Sequence, residues 1–206
     1  MNTVRVLIVD DHAVLRMGLT SLLKSQSGFD VIGEASGGEI ALRKVLELKP
    51  DVVIMDLMMP GMDGIEATRR MLLQHPDTKV LILTTFGTSD GIAHALKAGA
   101  LGAIMKNAEP SELVKAIRTV ATGRPYLSKE VSRIMADEPP VPTLSPRQME
   151  ILQSIERGFS NADIAQQLSI SVDVVKEHIR FLLAKLGAAN RTEAVAIALR
   201  KHLLKI

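Results

Sequence analysis

Asp51-Val52-Val53-Ile54-Met55-Asp56-Leu57-Met58-Met59-Pro60-Gly61-Met62-Asp63-Gly64 is the stretch whose reading decides the fold. Val52 to Met55 is a short, wholly apolar run, bounded too closely for a helix, so it predicts a strand buried on both faces. The run ends on a carboxylate, Asp56, and then on a breaker-rich loop, Pro60 to Gly64. In open α/β sheets the crevice beyond the strand ends is where ligands bind, which makes Asp56 the first candidate functional residue.

Working outward, the same pattern repeats. Val4–Val9 is a β-branched strand that stops at Asp10 and Asp11, and Ala13–Lys24 follows with apolar residues at helical spacing. Phe29–Ala35 and Gly38–Leu48 form the next strand and helix. Ile65–Gln74, stopped by Pro76, follows the central strand. Lys79–Thr84 with Ser89–Ala98, and Leu101–Met105 with a helix opened by Glu109-Pro110-Ser111, complete five strand–helix alternations. Such alternation predicts a parallel sheet with helices on both faces. Right-handed crossovers then place every strand C-terminus on one edge. Asp10, Asp11, Asp56, Thr84 and Lys106 all fall there.

Three carboxylates on one rim repel one another and stay ionised together only around a hard cation. Oxygen-only ligands, with no His or Cys, point to Mg2+. A carboxylate beside such an ion can act as a nucleophile and form an aspartyl phosphate. Lys106 would neutralise one phosphoryl oxygen and the Thr84 hydroxyl would bond another. Taken alone, Asp10 and Asp11 would read as a helix cap and a first-turn acid. Their company, Asp56 and Lys106, is what favours chemistry. His12 reads as helix-entry packing or a solvent-exposed ring, and the scattered His75, His94 and His202 suggest no metal site. Met55, Met58, Met59 and Met62 read as packing and loop residues.

The chain changes character after Gly123-Arg124-Pro125. Ser128–Asp137 reads as a short polar helix, and Glu138-Pro139-Pro140-Val141-Pro142 as a stiff linker. We therefore expect residues 1–123 to be one domain, 124–142 a linker with a short helix, and 143–206 a second domain. The second domain begins with the helix signal Ser145-Pro146. Ser160-Asn161 caps a second helix, Ser169-Ile170-Ser171 makes a tight turn, and a third helix runs Val172–Leu186. Two short helices about such a turn predict a helix-turn-helix. A fourth helix starts near Arg191. Lys176 and Arg180, four apart, share one face of the third helix, with Glu177 beside them.

Composition is consistent with these assignments. Hydrophobic residues make up 47% and aromatics 2%, so the cores are aliphatic. The first 125 residues carry 14 Lys/Arg against 14 Asp/Glu, whereas residues 143–206 carry 9 against 6, a small positive excess that suits a polyanionic partner. There is no cysteine, which excludes disulfides and thiolate metal sites. No run approaches the ~18 apolar residues of a membrane span, and a soluble cytoplasmic protein is expected.

The Asp10-Asp11 pair, Asp56, Thr84, Lys106 and the Pro-Gly-Met-Asp-Gly loop resemble a response-regulator receiver domain. Leu144-Ser145-Pro146-Arg147, Gly158–Ala165, Val175-Lys176-Glu177-His178 and Ala184-Lys185-Leu186-Gly187 resemble the LuxR-type helix-turn-helix of the NarL/FixJ subfamily. The resemblance implies a five-stranded sheet in the flavodoxin-like order 2-1-3-4-5 plus a small all-α domain. It implies Asp56 as phosphoacceptor, fed by a sensor histidine kinase. Mg2+ would be held by Asp11, Asp56 and the main-chain carbonyl of Met58, with Asp10 acting partly through water. Thr84 and Lys106 would sense the phosphoryl group. Lys176, Glu177, Arg180 and Arg191 would meet double-stranded promoter DNA, bound by a homodimer whose candidate surface is Ala194, Val195, Ala198 and Leu199. His178 matches the family pattern and is as suited to packing as to DNA.

Several positions depart from the family. Ala103 stands where an aromatic often couples the site to the rest of the receiver, and Phe86 is its one nearby substitute. Val174 stands where a hydroxyl is common, and Ala162 where a lysine is. The Ala103 departure supports an alternative reading, a constitutively dimeric DNA-binding regulator independent of phosphorylation. A phosphatase with an aspartyl-phosphate intermediate is the enzymatic rival, but it wants an acid two residues after the nucleophile, where this chain has Met58.

Overall fold

The structure, a computed structural model, describes residues 3–85, 89–137, 140, 144–201 and 203–204. Phe86, His202, four residues of the proline-rich linker (Glu138, Pro139, Val141 and Pro142) and the expected second-domain start at position 143 lie outside them. The chain forms two compact units, Met1–Pro139 and Pro140–Ile206.

The first unit alternates β1 (Val4–Val9), α1 (Ala13–Lys24), β2 (Phe29–Ala35), α2 (Gly38–Leu48), β3 (Val52–Asp56), α3 (Gly64–Gln74), β4 (Lys79–Thr84), α4 (Ser89–Lys97), β5 (Gly102–Met105) and α5 (Pro110–Ala121). All five residues of β3 are buried, as expected of a central parallel strand. The sheet order is β2-β1-β3-β4-β5, with every pairing parallel. Helices cover both faces, so the core divides in two. Leu7, Val53, Met55, Ile82 and Met71 lie on one side of the sheet. Ile8, Ile54, Leu81, Ile104 and Ile117 lie on the other. Each such aliphatic chain taken fully out of water contributes roughly 1.5–3 kcal/mol, enough to hold the sheet without aromatics.

A sixth strand corrects the expected five. β6 (Tyr126–Leu127) pairs in parallel with β5, placing Tyr126 beside Gly102 and Leu127 beside Ala103. Two residues are too few to show a period, and the Gly123-Arg124-Pro125 break hid them. The sequence did hold one signal, Gly102. A Cβ there would lie 2.4 Å from the Tyr126 carbonyl oxygen, so only glycine lets β6 approach. α6 (Lys129–Asp137) follows, started by Ser128, whose hydroxyl accepts from the Val131 amide at 3.2 Å. Val131 is fully buried, and Ile134 and Met135 pack on the same core as Ala103 and the α4 residues Ile92 and Ala95. Residues 124–137, read from the sequence as linker and polar helix, thus complete the first unit.

The second unit is α7 (Pro146–Glu156), α8 (Asn161–Leu168), α9 (Val172–Leu186) and α10 (Arg191–Arg200). Each start has its cap. Ser145 with Gln148 and Ser160 with Asp163 make capping boxes, Ser171 accepts from the Val174 amide, and Asn190 accepts from the Glu193 amide. α9 stops where Gly187 turns left-handed, at φ 67°. Ile151, Leu152, Ile164, Val175, Leu182 and Ala198 form the shared core. Among the described residues no helix is long and apolar enough to cross a membrane.

Gly102→Ala is expected to destabilise the first unit by about 1–3 kcal/mol through overpacking against β6. Gly18→Ala is the control, because its methyl would meet nothing within 4 Å. In that exposed helical position it is expected to stabilise by about 0.5–1 kcal/mol. Urea denaturation followed by circular dichroism measures both.

Candidate functional site

Strand register assembles the rim. Val9 lies beside Met55, Asp56 beside Leu83, and Thr84 beside Met105. The next residues along, Asp10 and Lys106, therefore leave the sheet at the same edge as Asp56. The Lys106 amide donates to the Thr84 carbonyl at 2.7 Å, and the Asp10 amide to the Ala35 carbonyl at 3.1 Å. The loop after β3 closes tightly. The Gly64 amide donates to the Leu57 carbonyl at 3.0 Å. A Cβ on Gly64 would lie 2.0 Å from the Asp56 carbonyl oxygen. The glycine that ends the loop is thus a condition for where Asp56 points.

The side chains meet. Lys106 Nζ lies 2.6 Å from Asp10 Oδ2 and 2.8 Å from Asp56 Oδ2. Asp10 and Asp56 are 1% and 3% exposed. Asp11 is half-buried at the mouth. Burial pushes the Asp56 carboxyl above its ordinary value against the Lys106 hydrogen bond, and the Asp10 charge adds to the rise. Burial alone would lower the Lys106 ammonium, but the two carboxylates outweigh it and hold it above its ordinary value. The Met58 amide is 3.4 Å from Asp56 Oδ1, and the Met58 side chain is exposed. Thr84 is buried in the same rim, and its hydroxyl finds no partner among the described residues.

Ligand atoms of Asp10, Asp11, His12 and Asp56 all lie within 4.8 Å of one another. Three acidic oxygens this close are compatible with a divalent cation. Asp10 and Asp11 do not serve as the side-chain cap of α1, whose N-cap residue is His12. Asp10 Oδ1 instead accepts from the His12 amide at 2.8 Å.

In the second unit Lys176, Glu177 and Arg180 are exposed on α9. Lys176 pairs with Asp173 at 3.0 Å, an exposed contact that water screens. Arg180 lies over the Phe181 ring, 5.1 Å from its centroid. Arg191 is half-buried, and one of its nitrogens donates to the Phe159 carbonyl, tying the start of α10 to the turn before α8. His178 is half-buried. Of the apolar side of α10, Ala194 and Ala198 lie in the unit's own core, while Val195 and Leu199 are half-buried.

Residues 6–118 match the model of the response regulator receiver domain, and residues 142–198 that of the bacterial regulatory proteins of the luxR family. The chain belongs to the response regulators. It is 40% identical over 209 residues to the transcriptional regulatory protein LiaR of Bacillus subtilis (strain 168), covering 98% of this chain and 99% of LiaR. It is similar to the crystal structure of the response regulator ChrA of a heme-sensing two-component system. That likeness has 40% identity and a TM-score of 0.59, over 99% of this chain and 100% of ChrA. It also resembles the two-component response regulator RcsB in its DNA complex, at 26% identity and a TM-score of 0.70, over 96% and 98% of the two chains.

Sequence reading of this response regulator missed three contributors to the rim. The His12 ring is exposed, as expected, and its Nδ1 nevertheless lies 3.1 Å from Asp10 Oδ1 and 2.8 Å from Asp11 Oδ1. Arg16 donates to the Asp10 carbonyl at 2.7 Å. Gly64 was only a loop residue. Nothing in a one-dimensional pattern marks the first two, because each acts across the turn into α1.

Because its folded carboxyl is raised, Asp56 is ionised less readily in the folded chain than in the unfolded one. It therefore costs stability above the ordinary carboxylate value of 3.8. Without divalent ions, Asp56→Asn is expected to raise the melting temperature at pH 7. The gain should shrink as pH falls and vanish only below that value, where both states hold the proton. Thermal melts in chelator across pH 3.5–7 test this.

Proposed function

We propose that this LuxR-type response regulator is switched by transfer of a phosphoryl group from a sensor histidine kinase to Asp56. The phosphorylated chain then pairs and binds double-stranded promoter DNA as a homodimer in the cytoplasm. The observation that carries the reading is a buried Asp56 carboxylate in contact with Lys106, within one cluster with Asp10 and Asp11.

An Asp56 oxygen attacks phosphorus, the P–O bond forms as the P–N bond to the donor histidine breaks, and the departing imidazole keeps the electron pair. Asp11, Asp56 and the main-chain carbonyl of Met58 would hold Mg2+, with Asp10 acting partly through water. When bound there, the ion would supply positive charge to the phosphoryl oxygens. Lys106 moves from the Asp56 carboxylate to a phosphoryl oxygen, and the Thr84 hydroxyl, otherwise without a partner, donates to another. The chain's chemistry is limited to this transfer and its hydrolysis. The exposed Met58, where an acid would be needed, argues against turnover of an outside phosphoester.

Ala103 has no ring to turn, so the signal needs another carrier. α4 begins five residues after Thr84, and its Ile92 and Ala95 share a core with Val131 of α6, the last element before the linker. That contact supports transmission through α4 and α6. The alternative, constitutive dimerisation, draws on the same Ala103. Beryllofluoride separates them, since only a phosphorylation switch raises DNA affinity and dimer fraction on its addition.

On DNA, Lys176 and Arg180 serve phosphates or guanine edges, Glu177 accepts from a cytosine amino group, and the remaining Arg191 donors hold a phosphate. Treatment with acetyl phosphate and Mg2+ is expected to add about 80 Da to the wild type, the mass of one phosphoryl group. Neither Asp56→Asn nor chelated protein should gain it; an unmodified wild type in intact-mass measurements would refute the scheme. Lys176→Ala and Arg180→Ala are each expected to flatten the log–log salt dependence of binding by about 0.9 if the lost contact is to a phosphate, read by anisotropy titrations at several salt concentrations.

A further inference from the structure

α9 buries Val175, Leu182 and Leu186 and turns its other side to solvent. At 100° per residue the exposed positions from Val174 onward sort by chemistry, while Val172, 38% exposed at the helix start, lies beyond the basic flank. Lys176 and Arg180 occupy one flank. Glu177 and Ala184 run down the middle. Val174 and Phe181, seven residues apart and so nearly in line, occupy the opposite flank. Phe181 is 48% exposed and Val174 39%. Phe181 is the one exposed aromatic among the described residues, since Phe29, Tyr126 and Phe159 are all half-buried against the cores.

A lone exposed apolar side chain needs no explanation. Two in line on the outward face of the second helix of a helix-turn-helix, beside its two cations, are a different case. Neither contributes to the core of the unit. Arg180 lies over the Phe181 ring. The contact joins the basic and apolar flanks into one surface and restrains both side chains before anything binds.

We propose that Val174 and Phe181 form an apolar strip that reads thymine. The inference rests on α9 being the helix that enters the major groove. The base edges there offer donors, acceptors and a single kind of hydrocarbon, the thymine C5-methyl group. Lys176, Glu177 and Arg180 cannot use that methyl, whereas two desolvating apolar side chains gain from meeting it. Val174 and Phe181 are separated by about 10 Å along the helix axis, which corresponds to roughly three base steps of duplex. The preferred half-site should therefore hold two methyl-dependent thymines about that far apart. Val174, where a hydroxyl contact is lost, gains a base contact in its place.

The test uses the full chain, treated with beryllofluoride, and duplexes that the protein itself selects from a random-sequence pool. Each thymine of a selected half-site is replaced singly by deoxyuridine, which removes only the methyl group. Affinity is measured by fluorescence anisotropy. Loss at the two read positions is expected to be about fourfold each, the value of one buried methyl, with little change elsewhere. Phe181→Ala should bind the thymine duplex more weakly and no longer distinguish thymine from uracil at one position. Phe181→Leu should keep part of the discrimination. The deoxyuridine series is read on unaltered protein, so it does not depend on how any variant folds.

Binding that is indifferent to every thymine methyl would overturn the strip while leaving DNA binding intact. So would a Phe181→Ala protein that still discriminates. An equal gain in affinity for all duplexes in Phe181→Ala would also overturn it and assign the strip to a protein contact. Failure of the wild type to bind any duplex would sink the groove reading and the strip together.

Discussion

The ammonium of Lys106 between the carboxylates of Asp10 and Asp56 is the interaction that holds the rim of the first unit together. Two carboxylates this deeply buried repel each other and have lost most of their water. Removing Lys106 would leave both carboxylates without its positive charge, a loss of about 3–5 kcal/mol. One lysine, delivered by the end of β5, contacts both carboxylates at once and offsets part of their charge. Burial still holds the Asp56 carboxyl above its ordinary value despite the Lys106 hydrogen bond. One ammonium against these carboxylates leaves the cluster net negative, which is compatible with a divalent cation beside it.

The surrounding backbone serves that balance. Parallel register brings four strand ends to one edge, but register alone leaves the loops undetermined. Gly64 admits the carbonyl of Asp56 where any side chain would collide. Asp63 caps α3 by accepting from the Glu66 amide at 2.9 Å, which fixes where the loop ends. Met59 and Met62 anchor the loop in the core, while Met58 faces out. On the far side of β5, Gly102 lets β6 approach, and α6 then packs beside α4. The chain thereby leaves the receiver next to the helix that follows Thr84.

The second unit reaches its shape by local means. Four helix starts are capped by their own Ser or Asn side chains, and the turn between α8 and α9 has Ser169 in the left-handed region at φ 52°. Only a modest cationic surplus is available for DNA. In the proposed reading, specificity comes from α9 side chains of unlike chemistry set side by side, and affinity from pairing two copies. Much of the basic character already has intramolecular partners: Lys176 on Asp173, Arg147 on Glu150 and Arg191 on Phe159.

Alternation of apolar runs with helical periods, read in one dimension, was enough to determine the parallel sheet, its helices, the helix-turn-helix and the placing of Asp10, Asp11, Asp56, Thr84 and Lys106 at one edge. Those are consequences of period and handedness, which are local or topological. The family resemblance added the strand order. Tertiary structure alone decided that Lys106 contacts both carboxylates, that the His12 ring turns towards the acids, and that residues 124–137 belong to the receiver. It also decided that Phe181 is left outside the core. Each of these turns on which side chain fills the space beside another, and a pattern of single residues does not carry that information. Gly64 and Gly102 show the limit most plainly: both are visible in the chain, but the atoms that require them to be glycine come from Asp56 and Tyr126, brought close only by the fold.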